Sequence, residues 1–330
     1  MIEPVRISRR RLLAGAAATL GAAAVLPVRA QAAAYPSHAV RFIVPVPPGG
    51  GADLTARILA KKIGELAGQP VVVENKPGGN GFIAVQTVLS APPDGYTLLL
   101  GSNSTLSTNA ATFKSLPYDP IADFAPISLI SRGPCFIVVA PNSPFKTLAD
   151  LIAAAKKKPG ALNYATGTMS YTLYTEWLNA MAGIRTTPIN YKGSGEILSV
   201  VMAGTVDYAM VDESGSHGLV RSGRLRALAY TDAKRSRTVP DVPSVAELGF
   251  PDLLAMNWVA AAAPARTPKP VMDRLATLFA QAGDSQEVRE FFEKQGGQRI
   301  MSTAAEMRRY QSEEIARWKK LVAATGLELQ

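Results

Sequence analysis

From Val40 onward the chain alternates short apolar runs with stretches of helical period. Residues 40–46 (VRFIVPV) have the length and branching of a buried strand, and residues 53–67 carry Leu54, Ile58 and Leu59 on one helix face. Asp53 is placed to cap that helix or to sit in its first turn. Residues 70–75 (PVVVEN) read as a second strand, 82–91 (FIAVQTVLSA) as a second helix, and Pro93-Asp94-Gly95 as the turn into a third strand, 96–101. Strand, helix, strand, helix, strand at this spacing predicts a parallel sheet with right-handed crossovers. The second half of the chain repeats the pattern. Strands are expected at 135–141, 162–167, 186–193, 205–212 and 224–232, with helices at 147–158, 171–183, 194–204 and 213–223. After residues 255–268 (AMNWVAAAAPARTP) the pattern is helical to the end of the chain.

Two α/β units in one chain predict two lobes with a cleft between them. Their boundaries are placed at residues 33–138 with 257–330 for the first lobe and 139–256 for the second. Strand exits rich in Gly, Ser, Thr, Asn and Tyr would face the cleft, because open parallel sheets bind ligands at the carboxyl ends of their strands.

The first 32 residues read differently. Arg9, Arg10 and Arg11 precede an Ala/Leu stretch, residues 12–26, too short and too alanine-rich to span a bilayer well. Ala30-Gln31-Ala32 fits a small-residue cleavage site, so residues 1–32 are expected to be an export signal, twin-arginine or Sec, of a periplasmic protein. The whole chain has 330 residues, 47% of them hydrophobic, and a formal charge of +9. Cutting after Ala32 removes Arg6, Arg9, Arg10, Arg11, Arg29 and Glu3, which leaves +5. A mild positive excess favours small anions. Without a clustered basic patch interleaved with aromatics it speaks against nucleic acid. Cys135 is the single cysteine, so no intramolecular disulfide can form; within CFIVVA it reads as a small buried hydrophobe.

Catalytic chemistry finds little to use. The two histidines, His38 and His217, form no H-x-x-x-H pair, and no Cys/His cluster exists for zinc. No G-x-S-x-G elbow occurs; Ser194, in GSGEI, lacks the second glycine. The glycine loops fit neither the phosphate-loop lysine pattern nor G-x-G-x-x-G before a ribose-binding acid. Asp212-Glu213, neighbours at one strand exit, are not the opposed pair of a glycosidase. Asp212 is open to two readings, ligand contact or helix N-cap. No enzyme, metal or cofactor is expected; the alternatives are a ligand sensor for a signalling partner and, behind it, a periplasmic hydrolase or isomerase using His217 and Asp212.

Binding is better supplied. In residues 46–54 (VPPGGGADL) two prolines stiffen the approach from the first strand. Three glycines let a ligand come close to bare backbone N–H groups, and the helix that follows favours negative charge at its start. This loop is expected to hold an anion.

Residues 35–81 (YPSHAVRFIVPVPPGGGADLTARILAKKIGELAGQPVVVENKPGGNG) resemble the start of the Bug family, or TctC-type receptors, the periplasmic solute-binding proteins of tripartite tricarboxylate transporters. PDGYTLLLGSNS, INYKGSGEILSVVMAGTVDYAM, SGRLRALAYTDAKRSRTVPDVPSVAELGFPDL and EEIARWKKLVAATGLE continue the resemblance in order to the end of the chain. It implies a type II periplasmic-binding fold, α/β with parallel-rich sheets around a cleft that closes like a flytrap. It also implies a carboxylate gripped between two loops: Pro48, Gly49, Gly50, Gly51, Ala52 and Asp53 on one side, and Thr166, Gly167, Thr168, Ser170 and Tyr171 on the other. Ser102, Asn103, Tyr191, Lys192 and Asp212 are the further implied contacts. The implied partners are a di- or tricarboxylate, an acidic amino acid or an aromatic acid, and the large and small membrane subunits of the transporter, with the receptor a monomer.

The chain departs from the family in carrying Val46 where an aromatic is common and Thr172 where a histidine is common. Tyr171, Tyr174 and Trp177 make the second loop unusually aromatic, with Trp177 expected in helix core and Tyr171 facing the pocket. Lys192 is a candidate partner for a second carboxylate.

Overall fold

The computed structural model describes residues 35–325 and 327–330. The expected export signal lies outside them. The first unit runs β1 (Val40–Val44), α1 (Gly51–Ala67), β2 (Val71–Asn75), α2 (Phe82–Leu89), β3 (Thr97–Ser102). β1 lies between β2 and β3 and is parallel to both. After a π turn at Ser104–Thr108 and the short α3 (Asn109–Thr112) comes β4 (Phe124–Val139), 16 residues long. The second unit follows α4 (Leu148–Lys157), whose Thr147 and Asp150 form a reciprocal capping box. It runs β5 (Asn163–Thr166), α5 (Met169–Ala182), β6 (Thr187–Asn190), α6 (Ser194–Met202), β7 (Tyr208–Asp212). Here β5 is the middle strand, parallel to β6 and β7.

The chain then forms α7 (Glu213–Arg221), β8 (Arg226–Tyr230), β9 (Met256–Pro264), α8 (Lys269–Asp284), α9 (Gln286–Gln295), β10 (Gln298–Arg299) and α10 (Ala304–Thr325). The strand order is β2-β1-β3-β9-β4-β7-β5-β6, with β8 and β10 also on β4. In each unit the chain leaves the middle strand first to one side and then to the other. The carboxyl ends of β1 and β5 are therefore topological switch points, where α/β sheets open a crevice.

The two parallel units are joined into one mixed sheet. β4 and β9 run antiparallel to each other and to β3 and β7, and join the two parallel units. Only the end of β4 was expected as a strand. Pro126 and Pro134 interrupt its apolar run, and its pairing with β9 shifts register at Pro126/Ser128 and Leu129/Ser131. β9 escaped because four of its nine residues are consecutive alanines. β4 pairs with β9 as far as Pro134 and with β7 from Cys135, so the strand changes sheets at that bond.

Two apolar cores cover the faces of the first sheet half. One holds Phe42, Leu98, Val259 and Phe279, the other Ile43, Leu99, Leu129 and Trp258. A third, around Phe136, Tyr164, Tyr208 and Met210, belongs to the second half. α10 begins on one core with Met307 and ends in another with Trp318. Cys135 is fully buried, and no helix among the described residues is long and apolar enough to cross a membrane.

Candidate binding cleft

The loop after β1 is held from within. Asp53, in the first turn of α1 and 1% exposed, accepts the Gly49 N–H (2.9 Å), Arg57 Nε (3.0 Å) and Asn75 Nδ2 (2.8 Å). Burial pushes its carboxyl upward, but these donors outweigh it and hold it below the usual range. Asp53 is thus spent on shaping the loop. Gly50 is the N-cap and has no side chain with which to cap, so the first N–H groups of α1 lack intrahelical acceptors.

The loop after β5 ends the same way. Thr168 is the N-cap of α5 and makes no side-chain cap. Tyr171, in the first turn, donates to Asp212 Oδ1 at 2.5 Å. Burial first, and the Asp212 charge second, raise this phenol well above its ordinary pKa, so the proton stays on Tyr171. Asp212 Oδ2 accepts Ser214 Oγ and the Gly215 N–H, both at 2.9 Å, as N-cap of α7. Glu213, 1% exposed, accepts the hydroxyls of Tyr230, Ser236 and Thr238.

The two switch points meet. Gly50, Gly51 and Ala52 from the first, and Thr168 and Tyr171 from the second, line one inner cavity of about 90 Å³, several times what a water needs. A Cβ on Gly51 would fall 2.3 Å from Ser214 Oγ and 2.8 Å from Asp212 Oδ2; one on Gly193 would fall 2.7 Å from Pro47 Cδ. Beside this cavity lies a wider one of about 490 Å³, between the second glycine loop, Gly78 to Gly81, and Gly167, Tyr191 and Lys192. Val46 and Thr168 line both.

Of the residues expected at the site, Gly50, Gly51, Ala52, Ser102, Asn103, Thr168, Tyr171 and Asp212 line the inner cavity. Gly167, Tyr191 and Lys192 line the wider one instead. Lys192 is exposed, and its backbone N–H donates to Glu196. Pro48 and Gly49 are exposed and line neither cavity, and the Gly49 N–H is taken by Asp53. Thr166 is fully buried and bonds to Thr172 Oγ1 and the Thr168 carbonyl. Ser170 shares a 2.8 Å bond with Ser104 and donates to Thr108, which ties α5 to the π turn. Trp177 is half-buried against core, as expected, and Tyr174 is fully buried. His217 lines neither cavity; its Nδ1 is buried without a partner.

Several cavity residues carried no usable sequence signal. Ser131 to Pro134 come from the unexpected length of β4, Asn257 to Val259 from β9, and Phe291, Phe292 and Gln295 from α9. Phe291-Phe292 in a helix reads as core, and Phe292 is indeed 4% exposed.

The fold and the cleft are those of a two-sheet solute-binding architecture, and comparison with known proteins agrees. The family model for the tripartite tricarboxylate transporter family receptor, TctC, matches residues 55–327. BugT of Bordetella pertussis is 36% identical over 316 residues, 95% of this chain and 96% of its own. The structure of R. palustris Rpa4515 with adipate superposes with a TM-score of 0.86 at 32% identity, over 90% of this chain and all of that one. MatC (Rpa3494) from Rhodopseudomonas palustris, with bound malate, gives 0.83 at 28%, over 87% of this chain and all of that one. The chain belongs to the Bug/TctC family of periplasmic solute-binding receptors.

Proposed function

We propose that this protein captures a small organic carboxylate in the cleft between its lobes and delivers it to the large and small membrane subunits of a tripartite transporter. The observation that carries the reading is the convergence of two helix starts, α1 and α5, on one cavity, neither capped by a side chain. Backbone N–H groups at helix starts are a general anion-binding device. Adipate and malate, bound by two structural relatives, are both dicarboxylates. The lobes are residues 33–138 with 257–330, and 139–256. Closure is a hinge motion around the change of sheets in β4 and its neighbours. Export by the N-terminal signal puts the monomeric receptor in the periplasm.

A thermal-shift panel of di- and tricarboxylates, acidic amino acids, aromatic acids and neutral sugars tests the core of this. A binder at a hundredfold its Kd adds about 2.7 kcal/mol. Stabilisation by a sugar and by no acid would remove the carboxylate reading. Loss of carboxylate uptake on deleting the receptor, restored by the purified chain, is the outcome expected for the transport role.

A further inference from the structure

The wider cavity owes one wall to a strained turn. Gly78, Gly79, Asn80 and Gly81 line it, and all four have positive φ, 112°, 54°, 52° and 88°. The three glycines adopt this region freely, whereas Asn80 does so at a cost. A turn of this kind keeps its shape only when its surroundings hold it. Asn109 Nδ2 donates to the Asn80 carbonyl at 3.0 Å. The Phe82 ring, at the start of α2, packs on Phe113 and Tyr118 with centroids 5.0 and 5.9 Å away.

Asn109 opens α3, and Phe113 is its C-cap. Four residues of helix are too few to stand by themselves. The end of α3 is held by the segment that follows α10. The Gln330 N–H donates to the Thr112 carbonyl at 2.9 Å, and the Lys114 N–H donates to the Gln330 carbonyl at 2.8 Å. These two bonds straddle Phe113, in the pattern of a parallel strand pair. Leu327 and Leu329 are half-buried against the core around Phe136 and Tyr164, which anchors the segment. Gln330 itself reaches the lining of the wider cavity.

We infer that residues 327–330 brace the second glycine loop and so position one wall of the wider cavity. Gln330 holds Thr112 and Lys114, these fix Asn109 and Phe113, and Asn109 and Phe113 hold Asn80 and Phe82. Gln330 is thus a positioning residue that acts through its backbone, since both of its bonds to the α3 end are main-chain. Without that bridge the α3 end is free to fray, and Asn80 to leave the left-handed region. The inference concerns the shape of the cleft whichever solute it takes, so it stands or falls separately from the carboxylate reading.

Hydrogen–deuterium exchange of the mature chain tests it. Gln330→Pro removes the N–H that meets Thr112, whereas Gln330→Ala keeps both backbone bonds. We expect Gln330→Pro, and deletion of residues 327–330, each to speed exchange at Lys114 and at residues 78–83 by about tenfold. Gly49, whose N–H is held by Asp53, should exchange as before. Gln330→Ala should change none of these rates. If the shortened chain unfolds, the two substitutions at Gln330 decide the matter alone. Unchanged exchange at residues 78–83, an equal rise at Gly49, or an equal effect of Gln330→Ala overturns the inference.

Discussion

The two lobes touch in two regions made of opposite materials. At the mouth, the contacts depend on residues without side chains. Gly51 lies against Asp212 and Ser214, Gly193 against Pro47, and Gly296 against Glu213, where a Cβ would fall 2.6 Å from the carboxylate. Behind the cavity the contacts are bulky and bonded. Asn103 donates to Tyr174 at 2.6 Å, Ser104 meets Ser170, and Tyr174 packs on Trp318 with centroids 5.3 Å apart. Trp318 is fully buried and carries the Arg317 guanidinium over its ring at 4.2 Å. Interdigitated aromatics and buried hydrogen bonds resist separation; backbone laid on side chain can part with little loss of packed area. The rear contact is the more tightly packed and bonded of the two.

Breaking the rear should have the largest effect. Trp318→Ala removes a fully buried ring that joins α10 to α5, and is expected to cost about 3–5 kcal/mol in urea unfolding. Next comes the loop clamp. Asp53→Ala leaves the Gly49 N–H and Asn75 without their acceptor, for a loss of roughly 1–3 kcal/mol. Its binding should weaken too, since the α1 start would no longer be fixed. A Cβ at the mouth should separate the two regions cleanly. Gly193 has an extended backbone, φ 165°, so Gly193→Ala meets no conformational strain and acts only by pressing on Pro47. We expect ligand affinity to fall about tenfold, near 1.4 kcal/mol, with unfolding stability within about 0.5 kcal/mol of wild type. An equal loss of stability would mean that the mouth is as fixed as the rear. The smallest effect is acid sensitivity. Because Asp53 is held below its ordinary pKa, its contribution is complete above roughly pH 4 and is lost as the pH falls through the folded value. The stability gap between wild type and Asp53→Asn should therefore narrow as the pH falls below about 4.

The mouth was far more legible in the sequence than the rear. Prolines and consecutive glycines between an apolar run and a helical period leave few conformations open, so the β1 loop could be read directly. The same holds for Gly167-Thr168 after β5. What the pattern could not say is which of those residues a ligand would meet. Asp53 looks like a contact until its three donors are counted, and Ser170 until its partners in the π turn are known. Lys192, a candidate partner for a second carboxylate because of its place after a strand, lines the wider cavity rather than the inner one. The rear depends on α10 and α5, more than a hundred residues apart, and no local pattern announces that Trp318 belongs with Tyr174.

The paired helix starts have one further consequence. Each carries the equivalent of about half a positive charge at its N-terminus, and both line one narrow space. Like poles facing one space repel each other, and an anion held between them would be attracted from both sides. The sign of the solute, more than its shape, would then decide whether the jaws shut, and a neutral isostere of the right size would leave them ajar.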